Sequence, residues 1–432
     1  MMKIVNIVPG FGGSFYCGNC LRDSSYVKSL KEAGHDAVTL PIYLPLTLNG
    51  EKQSDAPVFY GAINIYLKQK FPFLRKMPNW MEQIFNSPFL MKYAAKKAGS
   101  TRAHGLEEMT ISMLKGHEGY QKEELEHLID FLKHHEKPDI VHLSNALLMG
   151  LARKIKDELN IPVVCSLQDE DVWIDAMDDS YQKKLWDLFS EKARDIDAFI
   201  AVSHFYGVVM KKRMNIPDEK LNVIHVGIDP EVFDMSAPAF DPPVIGYMSR
   251  MNEENGFEVL IDAFIKLKSK AAFKDVKLRC SGGQTGDDKK FIQRQVGKLK
   301  KLNFLDDVEF VEEYREKFLN QFFQPLTLLS VPVLNGEAFG LYQIESLACG
   351  VPLVQPALGA FPEIIEATKG GVTYAPNNSE NLAKKLEEVL SDPEKLKLMS
   401  KRGRENVEKH FNSRILIRKM MKIYEKVAMS DE

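Results

Sequence analysis

Residues 335–352 read NGEAFGLYQIESLACGVP, and the fold assignment rests on them. A β-rich run at 327–333 leads to Glu337, a glycine-containing loop follows, and helix-forming residues begin near Leu341. A strand, a turn and a helix in this order aim the free N–H groups of the first helical turn across the carboxyl edge of a parallel sheet. These N–H groups and the positive end of the helix dipole attract phosphate. The stretch therefore predicts an α/β domain with an anion-binding edge.

Two carboxylates flank this predicted helix start. Glu345 lies on the helix and can accept two hydrogen bonds from a vicinal diol such as a ribose, and Glu337 in the loop can do the same for a hexose hydroxyl. Two glutamates eight residues apart are common in any chain. Beside a strand, a glycine turn and a helix start, they predict a nucleotide-sugar site.

The alternation of strands and helices continues on both sides of this stretch. Predicted strands lie at 3–8, 37–41, 138–142, 161–167, 198–202, 221–226, 244–248, 276–281, 308–311, 327–333 and 351–355. Helical stretches between them indicate parallel sheets covered on both faces. A proline-rich break, APAFDPP at 237–243, separates two such series. We expect two Rossmann-like doubly wound domains, 1–236 and 237–411, and a terminal helix at 412–432 that packs on the first domain.

The pattern degrades at about 46–136, which we interpret as an insertion in the first domain. It contains predicted strands at 57–68, an aromatic and basic stretch at 71–80 (FPFLRKMPNW), and a helical stretch around 89–93. A helical subdomain that buries its aromatic residues is the favoured interpretation. A lid over an acceptor and a membrane-surface patch are the alternatives.

Composition restricts the class of protein. The chain has 432 residues, 44% hydrophobic and 27% charged, which suits two soluble domains. The net charge of −3 and the lack of a long basic run argue against nucleic-acid binding. No stretch approaches the roughly 20 apolar residues of a membrane span. We expect a cytoplasmic protein, with association at the inner face of the membrane left open.

Cysteine usage points the same way. Five cysteines, an odd number, indicate reduced thiols. Cys17 and Cys20 have the spacing of half a zinc site, but the sequence has no second C-x-x-C pair. We therefore predict no metal site, and two small residues in a tight loop are the simpler interpretation.

The 337–345 stretch resembles the E-x7-E signature of the retaining glycosyltransferases of family 4, which have the GT-B fold of two Rossmann-like domains facing across a cleft. Further matching segments cover nearly the whole chain: the loop with Gly12 and Gly13, PDIVH at 138–142, AVS at 201–203, VGID at 226–229, GYMSR at 246–250, GVP at 350–352 and GAFPE at 359–363.

The resemblance implies roles for the matching positions. Glu345 would hold the ribose hydroxyls, and Glu337 the transferred sugar. Sugar and phosphate would also meet the backbone of Phe339, Gly340 and Leu341 and the loop with Gly12 and Gly13. Arg250 would neutralise the leaving diphosphate, and a guanidinium positioned beforehand suits the charge that develops there.

Two positions depart from the family's pattern. Asn255, before Gly256, replaces a phosphate-binding lysine; we keep Asn255 as a donor-binding position, and Lys289 and Lys290 are the candidates to supply the missing charge. Gln168 in SLQD (166–169) replaces a histidine of the reaction centre. Asp169 and Glu170 could act on the acceptor side or could cap a helix.

The sequence thus predicts a retaining, hexosyl-transferring enzyme that uses a nucleoside diphosphate sugar and a hydroxyl acceptor, carbohydrate or lipid-linked. We expect no cofactor and no essential metal. A catalytically degenerate sugar-nucleotide-binding subunit and a nucleotide-sugar epimerase are the alternatives. The base, the sugar and the acceptor are not specified by the sequence.

Overall fold

The structure is a computed structural model that describes residues 1–10, 16, 18–44, 47–48, 51–52, 58–59 and 103–429. Contacts divide the chain into two compact units. The first comprises Met1–Gly13, Asn19–His225 and Leu416–Glu432, and the second comprises Ser14–Gly18 and Val226–Ile415. Of the insertion expected at 46–136, the parts at 60–102, including the aromatic and basic stretch, lie outside the described residues.

The first unit contains one six-stranded parallel sheet in the order β2-β1-β5-β6-β7-β8, with a separate two-stranded hairpin, β3-β4. Its elements are β1 (Lys3–Val8), α1 (Gly18–Glu32), β2 (Asp36–Pro41), β3 (Thr47–Leu48), β4 (Glu51–Lys52), α2 (Glu107–Leu114), α3 (Lys122–Phe131), β5 (Ile140–Leu143), α4 (Ala152–Leu159), β6 (Val163–Leu167), α5 (Glu170–Asp175), α6 (Asp179–Lys192), β7 (Ala198–Ala201), α7 (His204–Met214) and β8 (Leu221–Val223).

The second unit contains a second six-stranded parallel sheet in the order β11-β10-β9-β12-β13-β14. Its elements are β9 (Val244–Met248), α8 (Phe257–Lys268), β10 (Lys277–Ser281), α9 (Lys289–Lys301), β11 (Val308–Phe310), α10 (Leu319–Phe323), β12 (Leu328–Leu329), α11 (Leu341–Ala348), β13 (Leu353–Pro356), α12 (Phe361–Thr368), β14 (Gly371–Tyr374), α13 (Ser379–Leu390) and α14 (Pro393–His410). The prediction of two doubly wound α/β units is confirmed.

The last helix, α15 (Ser413–Met429), contributes to the core of the first unit. One buried cluster contains Leu416, Ile417, Met420, Met421, Tyr424 and Val427 from this helix, together with Ile4 of β1, Ile140 of β5 and Leu30 of α1. The basic side chains of α15 lie on the opposite, exposed face of the helix. This amphipathic division is typical of a helix that gains most of its stability from packing.

Three local features differ from the sequence pattern. The strand expected at 327–333 is reduced to Leu328–Leu329, because Val331 donates its N–H to Gln355 Oε1 at 3.0 Å and Pro332 has no N–H. The helical stretch predicted between the strands at 138–142 and 161–167 begins as a 3-10 turn, Ala146–Leu151. Strand β14 has no counterpart among the predicted strands.

The division between the units also lies elsewhere than at the proline-rich break. It falls between His225 and Val226, so residues 226–236 belong to the second unit. Thr327 explains why the break is not a free linker: its hydroxyl donates to the Ala239 carbonyl and accepts from Val244 N–H at 2.8 Å. Within the part of the chain that the structure describes, no helix is long and apolar enough to cross a bilayer.

Candidate functional site

The second sheet has a topological switch point beside β9. From β9 the chain passes to β10 and β11 on one side, and β12 then pairs with the other side of β9. In such sheets ligands bind at the carboxyl ends of the strands next to the switch point. Arg250 follows β9 closely, and the loop after β12 carries Glu337 into α11. The fold of this unit therefore brings two of the predicted site residues to one edge.

The start of α11 is built around Gly340. Its φ of +81° is in the left-handed region that favours glycine, and a Cβ there would lie 2.7 Å from Glu337 Oε2. The Glu337 carboxylate thus lies against the first turn of the helix. The Glu337 carbonyl accepts from Ala360 N–H at 3.0 Å, which fixes the loop to the start of α12. The predicted proximity of Glu337 to the helix start is observed.

Phe339 and Leu341 flank Gly340, and both side chains are buried. The Phe339 ring packs at 6.0 Å from that of Phe411, and its carbonyl accepts from Gln343 Nε2 at 2.6 Å. With their side chains in the core, these two residues can offer a ligand only backbone groups, which is the role that the resemblance implies.

Glu345, one turn further along α11, is 3% exposed and accepts a hydrogen bond from the hydroxyl of Tyr16 at 2.6 Å. Tyr16 belongs to the same unit, and its N–H donates to the Gly282 carbonyl at 3.0 Å. Burial, followed by the charges of Glu345 and Glu337, raises the pKa of Tyr16 well above its usual value. Tyr16 is therefore a neutral hydroxyl at physiological pH, close to both acidic residues of the signature.

Asp288 and Thr285 hold the Arg250 guanidinium by its Nε and Nη2 atoms. Nε lies 2.9 Å from Asp288 Oδ2, and Nη2 lies 2.9 Å from both Asp288 Oδ1 and Thr285 Oγ1. Burial opposes ionisation of Asp288, but these donors and the Thr285 N–H outweigh it and lower the pKa of Asp288. The result is a preorganised guanidinium whose charge is partly balanced by Asp288.

Asn255 has a structural role in this unit. Its Nδ2 donates to Ser249 Oγ at 2.9 Å and to the Arg250 carbonyl at 3.1 Å. The next residue, Gly256, has a φ of +72°, and a Cβ there would lie 1.8 Å from the Pro332 carbonyl oxygen. Asn255 thus fixes the backbone that carries Arg250. Lys289 and Lys290 occupy the first two positions of α9 and are exposed.

Three sequence-predicted positions cannot be placed. Gly12 and Gly13, as well as Cys17, lie outside the described residues. The sequence pattern missed Tyr16, Thr285 and Asp288. For Tyr16 no signal marks the residue, since it sits in a loop. Thr285 and Asp288 form a capping box around a 3-10 turn, and the T-x-x-D spacing at 285–288 could have indicated it.

In the first unit, the carboxyl edge of the sheet carries a second polar group. Gln168 Nε2 and Arg22 Nη2 both donate to the Ser144 carbonyl, at 2.7 and 3.0 Å. Gln168 therefore replaces the expected histidine with a buried amide that fixes the loop after β5. The side chain of Arg22 is also paired with Asp23.

Glu170, for which the sequence allowed either acceptor binding or helix capping, makes three hydrogen bonds. It accepts from Ala146 N–H at 2.8 Å, Gln168 N–H at 2.7 Å and the Tyr206 hydroxyl at 2.8 Å. Burial raises the pKa of Glu170 to about 7, although these donors oppose the shift. The contacts favour capping, since the carboxylate joins the ends of β5 and β6.

His142 and Asn145 both make structural contacts within the first unit. The His142 ring contacts the Tyr424 hydroxyl and lies 2.8 Å from Ser166 Oγ, and burial lowers its pKa to about 3. Asn145 Oδ1 accepts from Leu147 N–H at the start of the 3-10 turn.

Among the described residues, one group of side chains has the spacing of metal ligands: His104, Glu107 and Asp178. His104 Nδ1 lies 3.1 Å from Asp178 Oδ1 and 3.8 Å from Glu107 Oε1. Glu107 Oε1 also accepts from Gly105 N–H at 3.0 Å. The Glu107 carboxylate thus fixes the turn before α2, and the exposed His104 ring lies near both carboxylates.

Comparisons with known proteins agree with this architecture. The family described as "Glycosyl transferases group 1" matches residues 230–406, and "Glycosyltransferase Family 4" matches residues 113–232. The Methanocaldococcus jannaschii protein named "Uncharacterized glycosyltransferase MJ1607" is 23% identical over 284 residues, which are 60% of this chain and 67% of that protein. A D-inositol 3-phosphate glycosyltransferase of Mycobacterium sp. strain KMS is 27% identical over 170 residues, 37% of this chain and about a third (36%) of that protein.

Solved structures show the same fold. Sucrose-phosphate synthase of Thermosynechococcus elongatus superimposes with a TM-score of 0.70 at 16% identity, over 100% of both chains. Anabaena HepE in complex with UDP superimposes with a TM-score of 0.68 at 15% identity, over 98% of this chain and 100% of that one. The fold is that of the GT-B proteins, and the family matches support a glycosyltransferase.

Proposed function

We propose that this chain transfers a sugar from a nucleoside diphosphate sugar to a hydroxyl acceptor with retention of anomeric configuration, as in family 4. One observation carries the proposal: the Glu337 carboxylate lies against the first turn of α11, and Glu345 follows on the same helix. HepE, a protein of similar fold, binds UDP and UDP-glucose in its crystal structures, which supports a nucleotide-sugar donor.

The donor binds to the second unit. Glu345 accepts from the ribose hydroxyls, and the N–H groups at the start of α11 receive a phosphate oxygen. Glu337 accepts from hydroxyls of the transferred sugar, a hexose. Arg250, which Asp288 holds in one orientation, stabilises the charge that appears on the diphosphate.

The acceptor, a carbohydrate or a lipid-linked compound, binds to the first unit. The bond between the anomeric carbon and the diphosphate oxygen breaks, and the acceptor oxygen bonds to that carbon from the same face. The acceptor's proton passes to the departing diphosphate. The proposal requires no divalent metal, because an arginine and backbone amides supply the positive potential. It places the enzyme in the cytoplasm and leaves association with the inner membrane face open.

A thermal-shift panel of UDP, GDP, ADP and their common sugars identifies the donor, and a transfer assay with that donor tests the activity. We expect stabilisation by one nucleotide and its sugars, and sugar transfer or slow donor hydrolysis by the purified protein. Failure of every nucleotide to stabilise the protein would contradict the proposal.

A non-catalytic sugar-nucleotide-binding subunit is the second candidate. Two observations favour it: Asn255 donates to backbone and Ser249 instead of supplying a charge, and Gln168 is fixed to the Ser144 carbonyl. Binding of a nucleotide sugar without transfer or hydrolysis would support this candidate. A sugar epimerised without any acceptor would instead indicate an epimerase.

A further inference from the structure

The hydroxyl of Tyr16 donates a hydrogen bond to Glu345 of α11. The distance from its hydroxyl to Glu345 Oε2 is 2.6 Å, and the two side chains are 8% and 3% exposed. The Tyr16 N–H bond to the Gly282 carbonyl holds the backbone of this residue in the same unit. Within the second unit, the hydroxyl therefore belongs to a fixed, buried contact.

A carboxylate binds a vicinal diol by accepting one hydrogen bond on each of its oxygens. When Tyr16 donates to Oε2, that oxygen already has a strong partner. A ribose that approaches Glu345 can bond to Oε1 with one hydroxyl, but its second hydroxyl must either share Oε2 with the phenol or replace it. Phenol and ribose hydroxyls are donors of the same kind, so at this buried carboxylate the two compete for Oε2.

We propose that Tyr16 competes with the ribose of the donor for Glu345, and that it thereby sets the nucleotide affinity and the selectivity for a ribose over a 2′-deoxyribose. The inference rests on the proposed function, because Glu345 is the ribose-binding group only if the second unit binds a nucleotide. It goes beyond that function in assigning a role to a residue of the N-terminal segment.

The raised pKa of Tyr16 agrees with this geometry, since a neutral phenol can donate a hydrogen bond to the carboxylate throughout the physiological range. The competition is also unequal for different ligands. A ribonucleotide gains a second bond by displacing Tyr16, whereas a 2′-deoxynucleotide has one hydroxyl to offer and can use Oε1 while Tyr16 stays in place.

The test compares the full-length protein with Tyr16→Phe, which removes one oxygen atom. Isothermal titration calorimetry measures binding of UDP, GDP and ADP and of their 2′-deoxy forms. For the ribonucleotide that binds, we expect about tenfold tighter binding by the variant. In the variant without ligand, Glu345 lacks the hydrogen bond from Tyr16, so a ribose no longer has to displace it. The affinity for the matching 2′-deoxynucleotide should change by less than about twofold.

Two controls separate this effect from a general loss of buried hydrogen bonds. The hydroxyl of Tyr374 in the same unit donates to Asn377 Oδ1 at 2.8 Å, and Tyr374→Phe should leave the nucleotide affinity unchanged. In a Glu345→Ala background, adding Tyr16→Phe should have no effect. Tyr16→Leu repeats the test with a different side chain, and thermal unfolding verifies that each variant is folded.

The outcomes distinguish this proposal from the function on which it rests. Equal or weaker ribonucleotide binding by folded Tyr16→Phe and Tyr16→Leu, with the wild type binding normally, overturns the role of Tyr16 alone. If neither wild type nor variants bind any of the three nucleotides, the proposed function fails too. Binding by the variants where the wild type shows none would be the strongest support for competition.

Discussion

The carboxyl edges of the two sheets both collect polar side chains, but they use them differently. On the first sheet, Glu170 accepts from three donors and His142 lies between Tyr424 and Ser166. On the second, Glu337 lies against a glycine-capped helix start, and Arg250 extends from the end of β9 with one edge held by Asp288.

This difference separates polar groups that stabilise the fold from groups that could bind a ligand. The first edge directs its carboxylate at backbone N–H groups of its own loops, which satisfies buried donors. The second edge combines two carboxylates, a guanidinium and the first N–H groups of α11 at a topological switch point. We therefore expect substitutions at the second edge to change transfer and binding, and those at the first to change stability.

The largest effect is expected for Glu337→Ala. It should lower the rate of sugar transfer by more than about a hundredfold, because the transferred sugar loses its orientation, while nucleotide affinity changes little. Transfer assays and calorimetry with the nucleoside diphosphate measure the two quantities. Glu366→Ala, which removes an exposed carboxylate from α12 of the same unit, is the control. Normal transfer by Glu337→Ala would remove the main argument for this site.

Arg250→Ala should lower the turnover number by about a hundredfold, since the leaving diphosphate loses its preorganised cation. Steady-state kinetics with saturating donor measures this effect. Arg402→Ala, at an exposed position on α14, should leave turnover unchanged. If Arg250→Ala and Arg402→Ala behave alike, the ion pair with Asp288 is only structural.

Glu345→Ala should weaken nucleotide binding by about tenfold, through loss of charge-assisted hydrogen bonds to the ribose. Calorimetry with the nucleotide identified in the thermal-shift panel gives the dissociation constant. The turnover number at saturating donor should fall less than it does for Glu337→Ala. The opposite order would exchange the roles assigned to the two glutamates.

The smallest expected effect is a change in the pH dependence of stability caused by Glu170, at the carboxyl edge of the first sheet. The pKa of Glu170 is about 7 in the folded protein and about 4.5 when unfolded, so folded Glu170 keeps a proton between these values that unfolded Glu170 has lost. The contribution of Glu170 to the free energy of unfolding should thus be greatest below about pH 4.5 and fall by about 3 kcal/mol as the pH rises through 7. Glu170→Gln should remove this slope.

Urea unfolding at several pH values, followed by tryptophan fluorescence, measures this prediction. Trp173 and Trp186 belong to the first unit, and the sequence has no tryptophan at 226–415, so the signal does not report the second unit. Glu126→Gln, at an exposed position on α3, should keep the wild-type slope. A slope retained by Glu170→Gln would show that another group titrates.

Local patterns predicted most of the fold. Buried parallel strands such as β1 and β9 are continuous apolar runs, and their limits matched the structure. The strand at 327–333 was overestimated because β propensity does not reveal that Gln355 takes the N–H of Val331. The contacts that group residues 226–236 with the second unit, such as the bond from Ser236 N–H to the Cys349 carbonyl at 3.0 Å, join residues far apart in sequence, so a local pattern could not show them.

The candidate site also has one part that the sequence could predict and one part that it could not. Glu337, Gly340 and Glu345 lie within nine consecutive residues, so the sequence alone could place them around one helix start. The partners of Arg250 and Glu345 could not be found in this way. Asp288 is 38 positions from Arg250, and Tyr16 is 329 positions from Glu345, and no periodicity links such pairs.

The helix α15 has a consequence for how the chain is made. Leu416, Met420 and Tyr424 share a core with Ile4 and Ile140, so the first unit is assembled from the beginning and the end of the described chain. During synthesis, the N-terminal sheet emerges from the ribosome long before the helix that covers it. A fragment ending at His225 would expose this apolar face, and chaperone binding to the nascent chain should persist until α15 has been translated.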